Sequence, residues 1–277
     1  MKVQIYVATH KKARMPSDKI YIPIQSGSAL YPSLGYQRDD SGDNISNKNS
    51  AYNNLCPLYW SWKNSDADII GSVHYRRLFY GKKKSINDDW QNLLNANEIE
   101  DIAKKYDIIL PKKSHYFFMS LRSHYINSYG GLKKIHSNDL STLGDVIADM
   151  YPEYSDAFNK VMRRHWGHMG NLSIMTAKKF DEYCSFMFDV LFECEKRLQG
   201  KRHDYNRYIA AISEFIPDIW IEHNQYPYKE LKLFMPEKPF FLTKVFNVLK
   251  RMLVGKREKN RFNANDFAEK NKVLGDN

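Results

Sequence analysis

Ile69-Ile70-Gly71-Ser72-Val73-His74-Tyr75-Arg76-Arg77 reads as a short buried strand that runs straight into a cationic cluster. A brief apolar run of this kind fits a strand inside an α/β sheet. In open α/β folds, ligands bind just beyond the carboxyl ends of the strands. Two guanidiniums there, beside an imidazole and a phenol, suit a diphosphate, because each guanidinium offers a fixed fork of donors that matches phosphate oxygens. The alternative is a strand end followed by solvated basic residues.

Outward from that stretch, strands and helices alternate. Residues 2–8 are rich in β-formers and read as a first strand, ended by Thr9-His10-Lys11-Lys12. Tyr21–Gln25 reads as a short edge segment, because Pro23 is poorly suited to a central strand. A polar loop over 26–50 leads to a helix over 51–64, with Leu55, Leu58, Tyr59 and Trp62 on one face. After strand 69–75 come a basic turn at 81–84, a helix over 97–105 and a buried strand over 106–111 that Pro111 stops. Residues 138–164 read as mostly helical, capped by Ser137, Asn138 or Asp139. A strand over 171–176, a long amphipathic helix over 177–198, a helix over 206–215 and a last strand over 218–221 complete the pattern. The alternation predicts an α/β fold with a mixed, mainly parallel sheet and helices on both faces.

The 277 residues suffice for one large domain or a domain with an appendage. Three cysteines without a CxxC pair argue against a disulfide framework and fit a reducing compartment. The first residues do not read as a signal peptide, and no stretch approaches the roughly 18 apolar residues of a spanning helix. The net charge of +10 is unevenly spread. Residues 229–261 hold ten Lys and Arg against three Glu, a net of +7, and residues 262–277 carry −1, which leaves +4 for residues 1–228. A body so mildly basic speaks against nucleic acid as a partner. The expected division is therefore a domain over 1–228 and a basic tail over 229–277.

Familiar catalytic signatures are missing: there is no P-loop, no G-x-G-x-x-G, no G-x-S-x-G and no H-E-x-x-H. His165 and His168 form the one close histidine pair, but Met169-Gly170 follows and favours a loop running into a strand over a metal-binding helix face. Asp66-Ala67-Asp68 matches a metal-holding Asp-x-Asp in letters but precedes its strand, at the wrong end for a ligand. Fixed cations at the other end then replace the metal, although the sequence leaves a divalent cation open as a cofactor. Gly42-Asp43-Asn44 is either ordinary turn material or a pair of side chains that bond the hydroxyls of a ribose or sugar. Of Tyr59, Trp60 and Trp62, some belong to the core, and one is a candidate to stack on a base or sugar.

Several segments, in order, resemble a bacterial capsular and exopolysaccharide glycosyltransferase family long known only as a domain of unknown function. They are Tyr6–Lys11, Pro23–Gly27, Gly42–Ser46 with Asn49, Leu58–Asn64, His74–Arg77, Asp107–Pro111, His168-Met169 with Asn171, Phe180–Cys184 and Ser213-Glu214. Two departures bear on acceptor contacts: Asn53-Asn54 stands where the family carries an acidic residue, and Phe215 stands where it carries Arg. The resemblance covers about residues 2–222. It implies a GT-A-like, Rossmann-like fold and the transfer of a hexose, with galactose in pyranose or furanose form among the suggested sugars, from a nucleotide-sugar to a growing surface glycan. The donor would meet Thr9, His10, Lys11, Asp43, Asn44, His74, Tyr75, Arg76 and Arg77, and the acceptor Asn171 and Trp60. Glu214, Asp139 and His168, in that order, are candidates for the catalytic base. Residues 240–261 read as a basic amphipathic helix, suited to the surface of an anionic membrane and useful for a lipid-linked acceptor. The expected place is the cytoplasm, peripheral on the inner face of the cell membrane. The rival readings are a basic nucleic-acid-binding protein and a non-catalytic scaffold of a glycan assembly complex.

Overall fold

The computed structural model describes residues 1–116, 118–128, 133–200 and 206–237. In chain order the strands are β1 (Val3–Thr9), β2 (Tyr21–Gln25), β3 (Gln37–Arg38), β4 (Ile69–His74), β5 (Leu78–Phe79), β6 (Ile108–Pro111), β7 (Ser114–His115), β8 (Trp166–Gly167), β9 (Ser173–Thr176), β10 (Lys229–Leu231) and β11 (Leu233–Phe234). The helices are α1 (Asn49–Tyr52), α2 (Leu55–Asn64), α3 (Ala96–Ala103), α4 (Leu121–Ser128), α5 (Lys133–Met150), α6 (Ser155–Arg163), α7 (Ala177–Leu198), α8 (Tyr208–Ser213) and α9 (Ile216–Asn224). Seven strands form one sheet in the order β10-β6-β9-β4-β1-β2-β3. β9 runs antiparallel to both its neighbours, and the other pairs are parallel. The mixed, mainly parallel sheet expected from the alternation is present.

The period-two alternation of the strands explains why both faces are covered. Val3, Ile5 and Val7 of β1, Ile69 and Val73 of β4 and Ile174 of β9 pack with Ile99 of α3, Leu78 and Phe79 of β5, and Phe234 of β11. Tyr6, Ile70, Ile108 and Met175 face the opposite way, into a larger core built by the other helices. Gly71 sits between Ile5 of β1 and Ile174 of β9: a Cβ there would fall 3.0 Å from Ile5 and 3.1 Å from Ile174. The isoleucines on both sides occupy that volume.

Five expectations need correction. The helix over 51–64 is broken at Asn53, which adopts φ 48°. Pro57 gives the reason, since its ring would meet the carbonyl four residues back in a continuous helix, whereas a proline in the first turn of α2 is well placed. α5 starts well before Asp139, so Ser137, Asn138 and Asp139 lie within the helix and cap nothing. Residues 218–221 belong to α9, not to a strand; a short apolar run is ambiguous by periodicity, and Pro217 opens the helix. The sheet takes in Lys229–Leu231, paired with β6, so the folded body extends past 228. Pro23 sits one strand in from the edge, but β3 reaches only Ile24 and Gln25, which spares the proline a donor it lacks. The helix expected over 240–261 lies outside the described residues. Among those described, no helix is long and apolar enough to cross a membrane.

Candidate donor site at the carboxyl edge of the sheet

β1 and β4 are parallel neighbours with Ala8 beside His74, so Thr9–Lys11 and His74–Arg77 emerge together. Thr9 is buried; its hydroxyl donates to the Lys11 carbonyl at 2.6 Å, and its carbonyl accepts from the Ser26 N–H at 2.8 Å. Its role is to shape the turn that presents His10 and Lys11. After β4 the backbone folds back tightly: the Arg77 N–H donates to the His74 carbonyl at 2.7 Å and the His74 N–H to the Arg77 carbonyl at 3.3 Å. Tyr75 is thereby buried as the floor, while Arg76 and Arg77 stand exposed. The His74 ring lies 4.5 Å and the His10 ring 5.5 Å from the Tyr75 ring, centroid to centroid. Lys11 and Arg76 lie 5.3 and 5.2 Å from the same centroid.

Burial, reinforced by Arg76 and other cations, pushes His10 down to about 4 and His74 down to about 3. At neutral pH both are uncharged, and the positive charge rests on Lys11, Arg76, Arg77 and Arg207. Arg207, at the entrance to α8, adopts φ 66° and donates its N–H to the Ser50 carbonyl at 2.7 Å; both histidines feel its charge. Glu237 counters two of these cations: it lies 3.1 Å from Lys11 Nζ and 3.7 Å from Arg76 Nη1.

Arg77 forms no ion pair within 4.0 Å among the described residues. Its guanidinium packs on the backbone of Gly170, where φ is 103° and a Cβ would fall 2.8 Å from Nη1. Glu214, half-buried at the end of α8, answers it from the same side. Desolvation lifts the Glu214 carboxyl to about 7, with Arg77 pulling the other way. Tyr116 completes this corner; burial first, then Glu214, pushes its phenol up to about 12.

A family model described as a domain of unknown function, DUF4422, matches residues 4–225. The chain belongs to that family. No curated protein matches the DUF4422 chain. Among solved structures it is similar to the apo structure of WbbM, a bifunctional glycosyltransferase, at 28% identity and a TM-score of 0.77. The match covers 86% of this chain and 46% of that one, so the DUF4422 chain spans less than half of WbbM. The structure is glycosyltransferase-like.

Not every residue singled out from the sequence reaches this edge. Asp139 is fully buried in the helical layer, where it accepts from the Tyr125 hydroxyl at 3.1 Å and lies 3.6 Å from His136. His168 is buried, with Nδ1 2.6 Å from Asp218 and Nε2 3.1 Å from Glu230. Both ring nitrogens are engaged, which makes it a clamp between α9 and β10. Asn171, at φ 54°, donates to Ser213 Oγ at 2.8 Å and so ties the start of β9 to the residue before Glu214.

Asp43 accepts from the Tyr59 hydroxyl at 3.1 Å, and its carbonyl accepts from Asn64 at 2.9 Å. Asn44 closes its own turn, donating to the Gly42 carbonyl at 2.9 Å. Trp60 donates to the Ser41 carbonyl at 2.8 Å and meets the edge of Tyr6. Asn54, at the start of α2, touches Gly170 at 3.5 Å, whereas Asn64 ends the helix. Ten residues of helix separate the two by roughly 15 Å, so Asp43 and its neighbours sit well down the domain from Arg77. Asp66 and Asp68 lie at the amino end of β4, held by the ammonium and the N–H of Lys2. Sequence reasoning missed Arg207, Glu237 and Tyr116 as members of the site. The first two come from segments read as a plain helix start and as tail. Tyr116 had one signal, its place just past the stop of β6.

Proposed function

We propose that this DUF4422 domain is a GT-A-like hexosyltransferase that moves a hexose, galactose in pyranose or furanose form among the candidates, from a nucleotide-sugar to a growing, lipid-linked surface glycan. One observation carries the reading: at the carboxyl edge of a glycosyltransferase-like sheet, four cations converge, two of them on the Glu237 carboxylate, beside a second carboxyl that holds its proton until near neutrality.

The donor diphosphate takes the place of Glu237 on Lys11 and Arg76, and Arg77 and Arg207 meet the remaining charge. Fixed cations of this kind stabilise the negative charge that builds on the leaving group. Neutral His10 and His74 supply hydrogen bonds without adding charge. Glu214 accepts the proton of the acceptor hydroxyl. The acceptor oxygen bonds to the anomeric carbon, and the pair of the broken carbon–oxygen bond leaves on the diphosphate. A base with a pKa near the working pH is best matched to such a step. The tail over 240–261 would hold the domain at an anionic membrane where the acceptor resides.

The test is a thermal-shift and calorimetric screen of nucleoside diphosphates and their sugars. A specific shift with one nucleotide-sugar, lost in Arg76→Ala and Arg77→Ala, is expected. Wild-type transfer rates in both variants would refute the diphosphate assignment.

A further inference from the structure

The turn that carries Tyr116 into the site also carries the most exposed aromatic residue of the described chain. Phe118 is 94% exposed, and Met119 beside it is 41% exposed. The tip is braced. The Tyr116 N–H donates to the His165 carbonyl at 2.7 Å, Met119 N–H to Tyr116 at 3.1 Å, and Leu121 N–H to Arg164 at 2.7 Å. Tyr116 stacks on His124 at 4.0 Å, and the Ser123 N–H donates to Ser120 Oγ at 3.2 Å. Phe118 therefore projects from a fixed base. Holding a large apolar ring in water on an anchored turn is unfavourable unless something apolar receives it.

Its surroundings say what. From Lys112 through Asn138 the sequence contains no Asp or Glu. Lys112 and Arg122 flank the tip, exposed and without an ion pair among the described residues, and His115 is exposed as well. An aromatic and a thioether side chain with exposed Lys112 and Arg122 on either side in the sequence fit the boundary between headgroups and acyl chains of an anionic bilayer. Tyr116, at the root of the same turn, stands beside Glu214 and Arg77.

We propose that Phe118 and Met119 form an interfacial anchor that enters an anionic lipid surface and sets the mouth of the cleft against it. The anchor is separate from the basic tail, and its meaning for catalysis rests on the transferase reading. Insertion itself does not, so each idea can fail alone.

The experiment uses the full chain and vesicles of phosphatidylcholine with or without phosphatidylserine, in the absence of nucleotide. Phe118→Cys is labelled with an environment-sensitive dye; the native Cys56, Cys184 and Cys194 are buried and will not compete. A blue shift on the anionic vesicles, absent on the neutral ones, is expected. The double variant Phe118→Ser, Met119→Ser should bind anionic vesicles about tenfold more weakly or worse, while Met150→Ser, exposed elsewhere, binds as wild type. An unshifted dye, or undiminished binding by the double variant, overturns the anchor. So does a dye shift caused by self-association, seen as a larger sedimenting species without lipid. Nucleoside diphosphate binding in solution should be unchanged in the double variant.

Discussion

The two ends of the central sheet handle charge in opposite ways. At the amino edge, the charges around the start of β1 and β4 are answered at once. Lys2 pairs with Asp66, its N–H holds Asp68 at 2.7 Å, and the terminal amine meets Glu100 at 3.0 Å. At the carboxyl edge, Lys11, Arg76, Arg77 and Arg207 gather around two neutral histidines, and Glu237 pairs with Lys11 and Arg76. Cations brought this close repel one another, and on the proposed reading a bound diphosphate relieves that repulsion. The Asp-x-Asp lies at the amino edge, and Arg76 and Arg77 lie at the carboxyl edge.

The largest expected consequence falls on the carboxyl edge. Glu214→Gln keeps the shape and removes the base, so transfer should drop by about 10²–10⁴-fold while nucleotide binding persists. In the wild type the rate should fall as pH drops below about 7, because protonation disables the base; a flat acid limb would remove Glu214 from the mechanism. Next, Arg77→Ala should cost about 10²–10³-fold in transfer. Arg76→Ala should cost less, because Glu237 already neutralises part of its charge; equal losses would mean that the ion pair opens freely.

A smaller effect concerns acid stability. His10 and His74 titrate below their ordinary value in the folded chain, so the unfolded chain binds more protons as the pH falls from about 6.5 toward 3. Their contribution is full above that window and is lost through it. The denaturation midpoint should decline there, and a saturating nucleoside diphosphate should blunt the decline by drawing protons onto the rings. The smallest effect belongs to the amino edge: Lys2→Ala and Asp66→Ala should leave both melting temperature and transfer unchanged, since the pair is exposed and solvent screens it. A clear loss of transfer there would erase the distinction between the edges.

Most of the sheet was legible because its strands are short apolar runs with clear stops, such as Pro111 after Ile108-Ile109-Leu110. The cationic cluster was legible for the same reason, since Lys11, Arg76 and Arg77 follow their strands directly. Glu214 came from the resemblance to a known family. Arg207 and Glu237 could not be read this way: long-range packing brings them to the site, and no local pattern marks them. Asp43, Asn44 and Trp60 show how a local pattern reads two ways. They are polar or aromatic residues in a suggestive loop, yet their hydrogen bonds close turns and hold α2. The Asn53 break did have a signal, Pro57, which a helix read by apolar spacing alone overlooks.

β10 places three residues, Lys229 to Leu231, along the outer side of β6. During synthesis β6 emerges more than a hundred residues before this partner, with its outer N–H and C=O groups unpaired. A chain stopped short of Lys229 would keep that open edge permanently and offer it to other chains as a template. β10 thus replaces the apolar edge of β6 with a three-residue edge that carries Lys229 and Glu230, a poorer template, and a chain cut at 228 should be harder to keep dispersed than one that reaches Glu237.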